Sequence, residues 1–437
     1  MKRYEAYKHS GVEWIGEIPE HWECKRLGAL LTVFSSKNHT DKPLLSITRE
    51  KGVILRDLDD ETENHNFIPD DLSGYKLIKE GQFGMNKMKA WQGSYGISDY
   101  DGIVSPAYFI FNVSEEIYPN FFHLAIRSKF YVAHFGSASD GVRIGQWDLS
   151  KPRMREIPFF IPPLPEQTAI AEFLDDKTAK IDQLIGIKQK EIELLKERRQ
   201  ILIQQAVTKG LDDTVKMKDS GVDWIGEIPA HWEVRKLKYI GNMFSGLTNK
   251  KGDDFSREPK EGFAPFIPFT NIFRNNKISE NEFQFVKSNV YDVQNVVEFN
   301  DILFLMSSET YDDIGKNSIY LGKSRVYLNS FCKGFKIFNK NVNPLFINFL
   351  LLSKNYREYF ASVGRGFTRI NIKQEYVLDM PILYFPISEQ TQIVTYLEEV
   401  EEKIAKAITL KEQEIEKLKE YKTVLIDQVV TGKIKVC

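Results

Sequence analysis

Two stretches of this chain set arginine, amide, lysine and aromatic side chains close together, a combination suited to gripping base edges and phosphates. The first runs Gly141-Val142-Arg143-Ile144-Gly145-Gln146-Trp147 and is followed by Lys151, Arg153 and Arg155; the second runs Val363-Gly364-Arg365-Gly366-Phe367-Thr368-Arg369-Ile370-Asn371-Ile372-Lys373. Arginine carries the planar fork that meets guanine bidentately, Gln146 and Asn371 carry the amide that pairs with adenine, and lysine holds phosphate oxygens. The same composition suits a polar surface loop whose charges are satisfied within the protein, and composition alone leaves both readings open. A third stretch, Asn86 to Gln92, adds Lys87 and Lys89, although its Met88 and Trp91 suit a core equally well. Its counterpart, Met306-Ser307-Ser308-Glu309-Thr310, has no basic residue.

Other chemistry lacks its usual residues. There is no Gly-rich dinucleotide fingerprint after a strand and no phosphate loop ending in Gly-Lys-Ser/Thr. His21 and His231 sit in identical Pro-x-His-Trp contexts, which favours a structural role. Asn343-Pro344-Leu345-Phe346 half-resembles the Asn-Pro-Pro-Phe/Tyr loop of amino-methyltransferases, but Asn343 and Pro344 suit the N-cap and first position of a helix, as Pro119 does in the other half. Cys24, Cys332 and Cys437 are too dispersed for a disulfide framework or a zinc site.

Two long helices position the basic stretches. Glu166 to Val207 returns as Glu389 to Val430 at an offset of 223 residues, with Ile181, Ile185, Ile192, Leu195 and Leu202 matching Ile404, Ile408, Ile415, Leu418 and Leu425. Steps of three and four place these residues on one stripe, with charged residues outside, so the pattern describes a pairing seam. A helix of about 42 residues spans about 63 Å and needs a partner. The expectation is an intramolecular antiparallel coiled coil; pairing with a second copy of the chain is the alternative. Lys188 with Lys411, and Arg199 with Lys422, interrupt the seam and would fix its register.

A second repeat frames the first. Ser10 to Glu23 returns as Ser220 to Glu233 with two differences in 14 positions. The order is globule, helix, globule, helix, read as an internal duplication with boundaries at 1–160, 161–212, 213–386 and 387–437. The fold class is α+β. Each globule is strand-rich, with strands expected at 52–55, 95–98, 107–111, 302–305 and 318–321, and helices at 120–131 and 344–360. Each globule closes in a Pro-broken extended segment, Ile157 to Pro165 or Met380 to Pro386.

At 437 residues, 42% hydrophobic and 27% charged, the chain can build two or three cores. No apolar run approaches the roughly 20 residues that cross a bilayer, and Met1 to Glu5 lacks a signal-peptide core, so a cytoplasmic location is expected. The net charge is −2; residues 215–386 are net +4 and the other segments negative. That balance argues weakly against autonomous DNA binding and points to a partner that supplies positive charge.

In this order, these features resemble the DNA specificity subunit of type I restriction-modification systems over essentially the whole chain. The marks are Ser-Gly-Val-x-Trp-Ile-Gly-Glu-Ile-Pro-x-His-Trp-Glu at 10 and 220, Gly102-Ile103-Val104-Ser105-Pro106-Ala107-Tyr108, and Pro165-Glu166-Gln167 with Ser388-Glu389-Gln390 opening the helices. The resemblance implies that each globule is a target-recognition domain reading one half of a split, asymmetric double-stranded DNA target. It implies that the helices set the spacing and dock two modification subunits. Those subunits would bind S-adenosylmethionine and methylate adenine N6, and restriction subunits would use ATP to translocate and cleave. The chain itself would be non-catalytic and hold no cofactor. A coiled-coil adaptor with protein-binding globules is the alternative from another class.

Overall fold

The computed structural model describes residues 2–13, 15–57, 68–143, 146–288 and 293–436. Two long helices, Leu164–Lys209 and Ile387–Val430, dominate it. Their 46 and 44 residues correspond to about 69 and 66 Å. The chain forms two compact units, residues 1–189 with 412–437, and residues 190–411. Each unit therefore holds one end of each long helix together with one globule.

In the first unit, Ile181 and Ile185 share a core with Leu418, Leu425, Ile426 and Val429. Lys422 Nζ reaches Asp182 at 2.6 Å and Lys188 Nζ reaches Glu414 at 3.0 Å. The partner number falls as the residue number rises, so the helices run antiparallel. In the second unit, Ile203, Ala206 and Val207 share a core with Ile393, Val394 and Leu397, and Lys411 Nζ reaches Glu191 at 2.8 Å. Ile192, Ile404 and Ile415 are buried, while Leu195, Leu202 and Ile408 are half-buried. The seam lysines thus turn their ammonium groups to carboxylates on the opposite helix, which gives register a chemical basis.

The two globules share one sheet topology. The first orders its four antiparallel strands as Leu31–Phe34, Tyr108–Val113, Phe83–Asn86 and Tyr95–Ile97; the second uses Gly241–Ser245, Cys332–Ile337, Ile302–Leu305 and Asn317–Ile319 in the same arrangement. The Pro-broken segments are strands, Pro158–Ile161 against Glu23–Arg26 and Pro381–Tyr384 against Glu233–Lys236. The second unit adds a sheet of Phe255–Ser256, Gln284–Lys287, Phe263–Ile267 and Tyr327–Leu328.

The helices expected at 120–131 and 344–360 are each two helices. Pro119–Ile126 and Lys129–Ser137 are separated at Ser128, whose ψ is 151°. Pro344–Leu352 and Lys354–Val363 are separated at Ser353, with ψ 154°. The Ser353 hydroxyl bonds the Leu350 carbonyl at 2.6 Å, a local alternative to continuing the helix. Asn343 caps as expected, its Oδ1 accepting from Leu345 N at 3.0 Å.

The repeated motif is a latch. In the first unit Glu166 accepts from Trp22 Nε1 at 3.1 Å and from Tyr4 Oη at 2.5 Å, and pairs with His21 Nε2 at 2.7 Å. In the second, Glu389 accepts from Trp232 Nε1 at 3.0 Å and pairs with His231 Nε2 at 2.8 Å. The next residue ties each long helix to the N-cap of a globule helix. Gln167 Oε1 accepts from Tyr118 N at 2.7 Å, and Gln390 Oε1 from Asn343 N at 2.8 Å. Gly432 and Gly210, both at positive φ beyond a helix end, leave their backbones against Trp22 and Trp232.

Candidate nucleic-acid interface

In the first unit the strand Tyr108–Val113 gathers lysines from distant parts of the chain. Lys151, at the start of the helix Lys151–Glu156, lies over the Phe109 ring at 5.4 Å. Lys76 Nζ donates to the Tyr108 carbonyl at 2.7 Å. Burial lowers the Lys76 pKa, and repulsion from Lys37, Lys151 and Lys87 lowers it further. Four ammonium groups therefore share one field, which suits a polyanion. Lys87 Nζ also meets Asp148 at 3.3 Å, and Lys89 is exposed. Lys37 and Lys76 lie outside the basic stretches of the sequence, and nothing local marks them.

Arg143 and Gln146 face each other across the antiparallel pair Ser139–Arg143 and Gln146–Leu149; their side chains, with Ile144 and Gly145, lie outside the described residues. Trp147 stacks on Trp91 with centroids 5.1 Å apart. Arg153 pairs with Asp140, and Arg155 Nη2 donates to the Gly28 carbonyl at 3.0 Å.

The second unit presents a loop closed at its base. Arg365 N donates to Asn371 O at 3.0 Å and Asn371 N to Arg365 O at 2.8 Å. Asn371 pairs in turn with Ser307, which brings Ser307 to Thr310 beside the loop. The Arg365 guanidinium turns back to the carbonyls of Ser362 and Gly364 at 2.6 and 2.7 Å. Arg369 lies over the Phe331 ring at 5.2 Å. Thr368 and Lys373 are exposed, Lys373 at the N-cap of Gln374–Leu378. Beneath the loop, Arg357 donates to the Asp312 and Ile314 carbonyls at 2.9 and 2.6 Å. Burial brings its pKa down to about 10, against the opposing pull of Asp313 and Asp312. Tyr311 and Phe331 join this surface from 34 to 60 residues away along the chain, beyond any local motif.

Among the described residues no cluster of His, Cys, Asp and Glu is placed to hold a metal, and no helix is long and apolar enough to cross a membrane. The Cys332 thiol is buried and pushed up to about 12, and Cys437 lies outside the described residues.

The family model for the type I restriction modification DNA specificity domain matches twice, over residues 19–194 and 229–420. The chain belongs to that specificity family. Among its relatives, the putative type I restriction enzyme MjaX specificity subunit of Methanocaldococcus jannaschii is 24% identical over 97% of this chain and 96% of its own length. The MjaVIII specificity subunit of the same organism is 24% identical over 96% and 94%. A chain solved in work on complex assembly and conformational transition of the type I R-M system superposes with a TM-score of 0.72 at 15% identity, covering 95% of this chain and 99% of that one. The HsdS subunit from Thermoanaerobacter tengcongensis gives 0.54 at 14%, covering 95% and 98%. These two likenesses show the fold. Both family matches run from a globule into a long helix, so the internal duplication coincides with a duplicated specificity domain.

Proposed function

We propose that this chain is the DNA-specificity subunit of a type I restriction-modification complex, each compact unit reading one half of an asymmetric, bipartite duplex target. The observation that carries this reading is that one sheet frame and one latch occur twice while the basic surfaces differ: four clustered lysines in one unit, an arginine-rich loop with exposed aromatics in the other. A duplicated frame with two different reading surfaces suits two different half-sites. Lys87, Lys89, Lys151 and Arg153 in one unit and Arg365, Thr368, Arg369, Asn371 and Lys373 in the other supply the protein's contacts, with Arg143 and Gln146.

The paired helices set the gap between half-sites and dock two modification subunits. The chain is non-catalytic: S-adenosylmethionine belongs to the modification subunits and ATP to the restriction subunits. The near-neutral balance of the chain fits a duplex clamped partly by those partners.

Mapping methylated adenines in cells that carry the chain with its modification subunit tests the reading, and a two-part motif is expected. Arg143→Ala then weakens recognition of one half and Arg369→Ala that of the other, by about 1 to 3 kcal/mol each if they contact bases. Equal loss on all duplexes assigns them to phosphates, and absence of any sequence preference overturns the proposal.

A further inference from the structure

Phe367 is fully exposed, a costly place for a phenyl ring unless something covers it in use. It stands at the tip of the loop between Arg365 and Asn371, whose reciprocal backbone hydrogen bonds of 3.0 and 2.8 Å close the base. The loop is tight. Gly366 has φ +145°, and a Cβ there would overlap the Arg369 carbonyl oxygen, so no larger residue fits. The Arg365 guanidinium is turned inward on the carbonyls of Ser362 and Gly364, and that of Arg369 lies over Phe331. Both guanidiniums thus have a contact within the protein while the two residues stay exposed, and the Phe367 ring projects from the loop.

Phe331 is 55% exposed and Tyr311 49%, the latter with its hydroxyl 3.5 Å from the Gly366 carbonyl. Arg365 and Arg369 lie in the loop and Lys373 two residues beyond it, with Glu309 and Asp312 beside Tyr311, and residues 215–386 carry net +4. An exposed ring beside arginine and lysine side chains matches the flat face of a nucleobase beside its phosphates.

Building on the reading of this chain as a DNA-specificity subunit, we infer that Phe367 is a wedge that enters the base stack of the half-site held by the second unit, unstacking one base step. Recognition there combines base contacts with the ease of opening that step, so discrimination extends to base pairs that no polar side chain touches. The first unit's described surface offers stacked Trp91 and Trp147 and no fully exposed ring, so the two half-sites are deformed differently.

The test uses the full chain assembled with its modification subunits and the mapped duplex, with 2-aminopurine placed singly through the second half-site. Binding should raise fluorescence at one step distinct from the methylated adenine, which a methyltransferase extrudes by itself. Phe367→Ala should abolish that rise and weaken the cognate duplex roughly ten- to a hundred-fold, the range set by losing one base–aromatic stack. Affinity for a scrambled duplex should be unchanged, and Phe367→Trp should restore the signal.

If the wild-type complex prefers the mapped duplex but signals only at the methylated adenine, or signals identically with Phe367→Ala, the wedge is refuted while the specificity reading stands. If Phe367→Ala instead impairs assembly with the modification subunits at unchanged DNA discrimination, the ring is a protein contact and the wedge is refuted. If the wild-type complex shows no preference for the mapped duplex, the specificity reading itself fails and the wedge falls with it.

Discussion

Gln390→Ala and Gln167→Ala should destabilise the protein to similar extents, because the two residues make equivalent sets of bonds. Gln390 is 1% exposed and Gln167 fully buried. Gln390 Nε2 donates to Phe385 O at 2.7 Å and to Asn341 O at 3.1 Å, while its Oε1 accepts from Asn343 N. Gln167 Nε2 donates to Pro162 O at 2.8 Å and Glu116 O at 2.9 Å, and its Oε1 accepts from Tyr118 N. Three bonds, one buried and two partly buried in each set, at about 0.5 to 1.5 kcal/mol each and with backbone groups left unsatisfied, give a loss of roughly 3 kcal/mol per variant. Exposed Gln205→Ala is the control, expected within about 0.5 kcal/mol of wild type. Urea unfolding measures the total, and hydrogen exchange at the Asn343 and Tyr118 amides localises it. Each variant should deprotect the amide that its own glutamine caps. A loss below about 1 kcal/mol in both variants, with both amides still protected, would refute the latch as an anchor between long helix and globule.

Tyr4→Phe and Glu166→Gln should couple by about 1.5 to 3 kcal/mol in a double-mutant cycle, since the 2.5 Å bond from Tyr4 Oη is charge-assisted; additive losses would remove Tyr4 from the latch. Burial raises the Asp301 pKa to about 6, only partly offset by the Glu298 amide and Lys336. The folded state therefore binds more protons than the unfolded state between about pH 4 and 6, and stability falls as pH rises through that window. Asp301→Asn should then gain melting temperature over wild type at pH 7 but not at pH 4, and parallel profiles would exclude the effect. Lys422→Glu should cost up to about 1 kcal/mol, the scale of an exposed pair, and be rescued by Asp182→Lys; a swap that restores nothing would show that this pair does not help hold the register.

The long helices and their antiparallel pairing were legible because a three-and-four repeat is local, and duplication at a constant offset supplied the partner. The structural role of His21 and His231 was legible from context, although their carboxylate partners, some 145 and 158 residues distant, were not. The breaks at Ser128 and Ser353 escaped periodicity because the apolar spacing continues across them, and at Ser353 a single hydroxyl redirects the backbone. The proposed reading surfaces are only half marked in the sequence. Lys87, Lys151, Arg365 and Arg369 stand in basic stretches, whereas Lys37, Lys76, Tyr311 and Phe331 arrive through strand pairing between segments far apart in sequence, which no window along the chain contains.

The distribution of identity between the two halves follows from what each residue touches. Trp22 and Trp232 are both fully buried, each donating to the glutamate that opens a long helix and each packed on the glycine that ends one. In the first unit those belong to different helices, Glu166 to the first and Gly432 to the second; in the second unit the assignment is reversed, with Glu389 and Gly210. One indole therefore satisfies a helix start and a helix end at once, and a change there disturbs both long helices of its unit. A loop such as 365–371 is anchored by backbone bonds and one glycine, so its tip can change residue by residue without disturbing a helix. Tight coupling holds the latch sequence in common between the halves, and weak coupling lets the proposed reading surfaces part. A protein built to keep one geometry while varying what it reads requires that division.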